Sequence, residues 1–228
     1  MTQKIILSLI AILFASNIYS QGCEAYIPTK LGEKLTYKTS NKKGKVESYY
    51  SDKLLSIKEE DGATKYAVLR ENFDKKKNLT NADTVFFYCK GSSFYIDMSS
   101  YLNNEEMSKY DESMIQLEVK NIGYPTNMKP GMNLEDGYIN ANISAGFMPI
   151  VFRTDVINRK VVASESVTTE AGTFQTLKIT QDLKIKIAFV KVDASSITWV
   201  KKGIGTIKTE TYDKKGGLMS STELVKNW

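Results

Sequence analysis

Histidine is absent from all 228 residues of the chain. The side chains that could do chemistry are therefore two cysteines, a few carboxylate clusters, a Gly-x-Gly and short runs of lysine. Without histidine neither a Ser-His-Asp nor a Cys-His system can be built, and the commonest general base is missing. Two cysteines alone do not make a tetrahedral zinc site. The carboxylates of Glu59-Glu60-Asp61 and Glu105-Glu106 lie in polar stretches that read as solvated turns or helix ends. A glycosidase needs two that face each other at a fixed separation. A phosphate cradle at Gly203-Ile204-Gly205 would need a helix to follow, but "TIKTETY" alternates like a strand. There is no Walker A or EF-hand sequence. These residues predict no enzyme, no metal and no cofactor.

The lysine runs are Lys42-Lys43, Lys75 to Lys77 and Lys214-Lys215. Each sits in a turn-like context and none is interleaved with aromatics, as a groove for single-stranded nucleic acid would be. The net charge of +5, one less without Lys4, serves solubility and points to no nucleic-acid partner. The chain opens "MTQKIILSLIAILFASNIYSQG", with one Lys, an apolar run from Ile5 to Ala15, then small and polar residues. That layout predicts a secretory signal peptide over 1–20 and a single β-barrel-like domain over 21–228, periplasmic or secreted. The apolar run falls short of the ~20 residues of a membrane-spanning helix, and no later stretch is long enough. "SQGC" lacks the Leu expected three residues before a lipid-modified cysteine. In an oxidising compartment Cys23 and Cys89 are disulfide candidates; two separate thiols are the alternative.

The elements around these residues are strands. Thirteen Tyr and nine Phe favour a pleated surface. "EKLTYKTS" alternates and turns at "NKKGK"; "DGA" at 61–63 marks the next hairpin. Val85 to Tyr88 is apolar on both parities, as in a strand buried on both faces. "NNEEMSKYDE" predicts one or two helical turns. "IGYPTNMKPGMNLEDGYINANIS" reads as a connecting loop, with a lid over a cavity as the alternative. In "LKIKIAF", Leu183, Ile185, Ile187 and Phe189 share one face and Lys184 and Lys186 the other. Phe174 has the wrong parity for Leu177 and Ile179, so either a bulge follows Gly172 or Phe174 packs outside the main core. "NKKGKVES" at 41–48 echoes "DKKGGLMS" at 213–220, which reads as convergent hairpin tips, with duplication as the alternative. Gly203 and Gly205 fit a bulge or a close backbone approach as the sheet curls. The predicted fold is all-β and mainly antiparallel, a curved sheet or barrel-like meander with at most one or two short helices.

"YIPTKLGEKLTYKTSNKKGK", "VTTEAGTFQTLKIT" and "WVKKGIGTIKTETYDKKGGLMSSTEL", behind a signal peptide, together resemble the TapB-like family of exported bacterial proteins, a domain of unknown function. Gly203, Gly205, Lys208 and Glu210 match its pattern, whereas Glu170 replaces a Pro and Leu177 an aromatic. The resemblance implies a β-barrel or strongly curved sheet outside the cytoplasm and assigns no catalytic residue. A more distant similarity is to periplasmic lipoprotein carriers, whose curved sheets hold acyl chains. Two functions are compatible with this sequence. One is binding of a hydrophobic small molecule or lipid in the sheet's concave face, with Phe86, Tyr88, Leu183, Ile185, Ile187 and Phe189 as candidate lining. The other is an interaction module with a filled core, docking an envelope protein partner on the Tyr-rich faces of "VESYYSDKL" and "SSFYIDMSSYL".

Overall fold

A computed structural model of the chain describes residues 23–102, 109–144 and 150–226. The predicted signal peptide and the Glu105-Glu106 pair lie outside the described residues, as does most of "NNEEMSKYDE". The strands are β1 (Lys34–Asn41), β2 (Val46–Glu60), β3 (Ala63–Asp74), β4 (Leu79–Lys90), β5 (Ser93–Ile96), β6 (Ile115–Lys120) and β7 (Ile122–Pro125). They continue with β8 (Gly137–Ile143), β9 (Ile150–Thr169), β10 (Gly172–Ile187), β11 (Val190–Lys201), β12 (Gly205–Asp213) and β13 (Leu218–Val225). The only helical pieces among the described residues are short 3-10 turns, Met98–Tyr101 and Glu112–Met114, each capped by an aspartate side chain. The 13 strands form one antiparallel sheet in the order β6-β8-β9-β10-β11-β12-β13-β1-β2-β3-β4-β5-β7.

That order makes the sheet a nearly closed barrel. β6 and β7 are its two edges, yet only Asn121 separates them in the chain. One extended segment therefore pairs with β8 through its first half and with β5 through its second. Asn121 ties the changeover: its amide donates to Tyr88 Oη at 2.8 Å, and its carbonyl oxygen accepts Met98 N–H at 2.9 Å. Gly137 lies against this seam, where a Cβ would come within 2.8 Å of both Ile122 Cγ1 and the Lys120 carbonyl. The segment read as a connecting loop thus supplies two strands, β7 and β8. Its remainder, 126–136, folds inward with Met128 and Leu134 buried. Pro125 ends the edge strand β7, where a missing N–H costs no ladder bond.

Antiparallel pairing throughout puts alternate turns at opposite ends. The β1–β2, β3–β4, β10–β11 and β12–β13 turns emerge at one rim. The β2–β3, β4–β5, β9–β10 and β11–β12 turns emerge at the other. Three rim turns share one geometry. Asn41, Asp74 and Asp213 each accept, on Oδ1, the N–H groups two and four residues on. The third residue on, Gly44, Lys77 or Gly216, takes a positive φ. The Asn78 side-chain amide, together with the turn's N–H groups, holds the Asp74 carboxyl below its ordinary range, and the N–H groups of Gly217 and Lys215 do the same for Asp213. The lysine runs are thus solvated hairpin tips.

The other end is filled. Tyr26, Tyr66, Phe87, Phe94 and Tyr124 pack there, with Phe87 stacked on Phe94 at 5.7 Å between ring centres. Burial raises the Tyr26 hydroxyl to about 12. Cys23 is bonded to Cys89, which anchors the buried Ala25-Tyr26-Ile27 segment against β4. Gly203 donates its N–H to the Ala25 carbonyl at 2.8 Å, and Gly205, at φ 106°, meets the same segment. A Cβ on Gly205 would lie 2.6 Å from the Tyr26 carbonyl oxygen. The far end of the β9–β10 hairpin reaches across to β1, where Glu170 pairs with Lys38. There Phe174 packs with Tyr37, Ile207 and Leu224 in a second, smaller cluster. Phe174 thus lies outside the main core; the β9–β10 register shifts fall further along, between Lys178 and Asp182. Gly172 begins β10 at φ 139°.

Two outcomes follow. Gly205→Val forces a β-branched residue into the left-handed region and against a carbonyl, and loses at least about 3 kcal/mol. An unchanged melting temperature would remove this role for the glycine. Reducing the Cys23–Cys89 bond frees a loop of 66 residues, a loss of up to about 4 kcal/mol in the chain-entropy picture. Thermal melts with and without reductant measure it; coincident curves would show that the N-terminal segment holds without the bond.

Candidate functional site

The interior beside the open rim is not filled. It holds a cavity of about 640 Å³. One wall is apolar: Met98, Ile122, Ile139, Phe152, Leu183 and Ile187. Beside it, on β11 and β12, the lining is hydroxylic. Ser196 and Thr198 on β11 stand directly across from Thr211 and Thr209 on β12, and all four line the cavity with Thr206 and Gln181. Thr209 Oγ1 donates to Thr198 Oγ1 at 3.3 Å. Ser196 is 2% exposed and its hydroxyl has no hydrogen-bond partner. A buried hydroxyl without a partner costs about 1–3 kcal/mol. Ile187 both lines the cavity and is half exposed, so the space reaches the rim.

Between this cavity and the filled end stands Arg159 on β9, 2% exposed. Its Nη1 donates to the backbone carbonyls of Gly123 at 3.1 Å and Glu135 at 2.6 Å, and its Nε to Gln181 Oε1 at 3.3 Å. The guanidinium lies 5.1 Å from the centre of the Tyr124 ring. Nη2 is buried without a hydrogen bond. Burial pulls the guanidinium below its ordinary value, with Tyr124 and Asp136 acting the other way. The backbone bonds join β9 to β7 and to the 126–136 segment, so the charge pins the seam.

The six residues read from the sequence as lining do not come together. Leu183 and Ile187 do line the cavity. Ile185 shares their face of β10 but is not among the residues that bound it. Phe86 and Tyr88 are on the other face of β4, because Val85, Phe87 and Cys89 take the inward parity. Lys65 Nζ covers the Phe86 ring at 5.2 Å, and Tyr88 stacks on Tyr95 at 4.9 Å. Phe189 is in the β10–β11 turn and 86% exposed. The hydroxyl wall was missed, although its signal was there: Ser196/Thr198 and Thr209/Thr211 each recur at a spacing of two, the period of one strand face. Arg159 has no such signal. Among the described residues no three of His, Cys, Asp and Glu are grouped to hold a metal ion, and no helix is long and apolar enough to cross a membrane.

Fold and cavity define a nearly closed, single-sheet β-barrel with one packed end and one hollow end. The chain belongs to the DUF3108-like family, whose profile matches residues 30–224. The match gives no support to the TapB-like name that the hairpin motifs suggest. Two solved structures share the fold. One is a Bacteroides fragilis protein assigned as exported, with a YmcC-like fold, at 19% identity and a TM-score of 0.70, covering 89% of this chain and 98% of that one. The other is a Parabacteroides distasonis protein assigned as a lipoprotein, at 18% identity and a TM-score of 0.70, covering 89% and 97%. No curated protein matches the chain.

Arg159→Ala removes the donor from the buried Gly123 carbonyl and from the half-buried Glu135 carbonyl and leaves a cavity, and lowers stability by about 3 kcal/mol or more. A denaturant midpoint equal to that of the unaltered protein would show that the seam closes without it.

Proposed function

We propose that the protein is an extracytoplasmic, non-enzymatic barrel that holds an amphipathic, lipid-like molecule. The observation that carries this is the mixed lining of the cavity, with aliphatic side chains beside a cluster of Ser and Thr hydroxyls on β11 and β12. Its 640 Å³ falls within the roughly 300–1,000 Å³ of ligand sites. A purely apolar ligand would leave much of the Ser/Thr lining unused; a purely polar one would set its groups against the aliphatic side chains. Export is supported by the leader-like N-terminus, by the Cys23–Cys89 bond and by the assignments of the two similar structures. The bond also occupies the one thiol near the N-terminus that a lipid anchor would use.

The interaction-module reading has less behind it. The tyrosines that motivated it are engaged: Tyr50 stacks on Tyr37 at 4.5 Å, Tyr95 on Tyr88, and Lys77 covers the Tyr49 ring at 5.4 Å. Phe94 is 1% exposed.

Purified protein should retain lipid detectable by mass spectrometry after solvent extraction, and delipidated protein should enhance the fluorescence of a hydrophobic dye. Leu183→Trp, which fills part of the cavity, should weaken dye binding roughly tenfold with little change in melting. Repeated absence of lipid together with no dye response would sink the proposal.

A further inference from the structure

The open rim combines two features that the cavity does not explain. The first is an apolar tip. At the β10–β11 turn Phe189 is 86% exposed, Val190 63% and Ile187 50%. β12 stops opposite Ala194, where Asp213 is its last partner, so Val190 to Asp193 project beyond the neighbouring strand. Soluble surfaces carry scattered exposed hydrophobics; a run of three on one protruding tip is different. The second is charge. Lys186 and Lys191 face each other across the hairpin just behind the apolar tip, and neither makes an ion pair among the described residues. The β1–β2, β3–β4 and β12–β13 turns at this rim carry the runs Lys42-Lys43, Lys75 to Lys77 and Lys214-Lys215.

The acidic groups at this rim offset that charge only in part. Asp74 and Asp213 keep their negative charge within their own turns, and with Glu47, Asp111 and Glu112 they are fewer than the nine lysines. Asp193 stands opposite Lys184, and Asp155 pairs with Arg153 at 2.7 Å. The turns of the opposite end carry both signs, with Glu59, Glu60, Asp61 and Glu170 against Lys90 and Lys202.

We propose that this rim docks the barrel on an anionic phospholipid bilayer, with Phe189 and Val190 inserted at the acyl boundary and the surrounding lysines at the headgroups. An apolar tip collared by lysines satisfies both layers of a lipid surface: rings and aliphatics leave water, while ammonium groups stay at the anionic plane. An acidic protein would pair with the lysines but leave Phe189 in water. The docking does not rest on the cavity being filled, although it would set the cavity's mouth against the bilayer.

Co-sedimentation tests it, using vesicles of phosphatidylcholine alone and of phosphatidylcholine with phosphatidylglycerol. The protein should sediment with the second and stay in solution with the first, and added salt should release it. Phe189→Asp should bind roughly tenfold more weakly or worse, with an unchanged melting temperature because the side chain is exposed. The Lys214→Glu, Lys215→Glu double variant should bind more weakly and lose part of the salt dependence. No sedimentation with either vesicle, equal sedimentation with both, or a Phe189→Asp variant that binds like the unaltered protein would overturn the proposal.

Discussion

Closure of the sheet at the Asn121 seam is the constraint on which the rest depends. An open antiparallel sheet of this length would present two long unpaired edges, each a template for another chain. Here one segment serves both edges, pairing with β8 up to Lys120 and with β5 from Ile122. The changeover leaves a close-packed spot, and three local devices serve it. Gly137 admits the backbone at a separation no Cβ would allow, Asn121 bonds to both sides, and the Arg159 guanidinium holds the carbonyls of β7 and the 126–136 segment. A buried guanidinium is costly unless its hydrogens are matched. Backbone carbonyls freed at a seam are the acceptors that a regular ladder would not have to spare.

Closure also separates the two ends. At the filled end the N-terminal segment enters through the disulfide, meets the Gly203–Gly205 turn and is sealed by Tyr26 against Phe94 and Tyr124. At the other end the turns are short, solvated and built from side chains that bond their own backbone. Such tips cost little to expose, so that rim is free to carry lysines and an apolar hairpin. The end that stabilises the fold and the end that can meet a partner are thus built from different residues.

How much of this was legible depends on whether the signal was local. Strand alternation and Asx turns are local, so the antiparallel, barrel-like meander was readable from "LKIKIAF" and from the matched tips at Asn41 and Asp213. The third tip, at Asp74, reads as a solvated turn but not as an echo of the other two, because Lys77 takes the positive φ that Gly44 and Gly216 take there. Facing was harder. Phe86 and Tyr88 are as apolar as Val85 and Phe87, and only the register with β3 and β5 decides which pair turns inward. The extra residue in β12 near Ile207 re-aims its neighbours in the same way, placing both Thr206 and Thr209 on the cavity wall. The seam was not legible at all: "VKNIGYP" carries no mark that its two halves pair with strands from opposite ends of the sheet, and the partners of Arg159 lie 22 to 36 residues away.

The cavity itself is a consequence of strand number. Barrel diameter grows with the number of strands, and about eight already give an interior that side chains just fill. Thirteen enclose more space than inward residues can occupy unaided. At the packed end the surplus is taken up by chain: the N-terminal segment, the 126–136 segment and a cluster of aromatic rings. At the rim no described segment plays that part. What the sequence controls there is the chemistry of the walls. Thr suits a strand as well as Val does, since both are β-branched, so aliphatic residues at Ser196, Thr198, Thr209 and Thr211 would have been equally good sheet formers. Hydroxyls at these inward positions, one of them buried without a partner, are therefore not explained by strand formation. They are a choice of wall chemistry, made at positions where the fold itself asks only for a β-branched or small side chain.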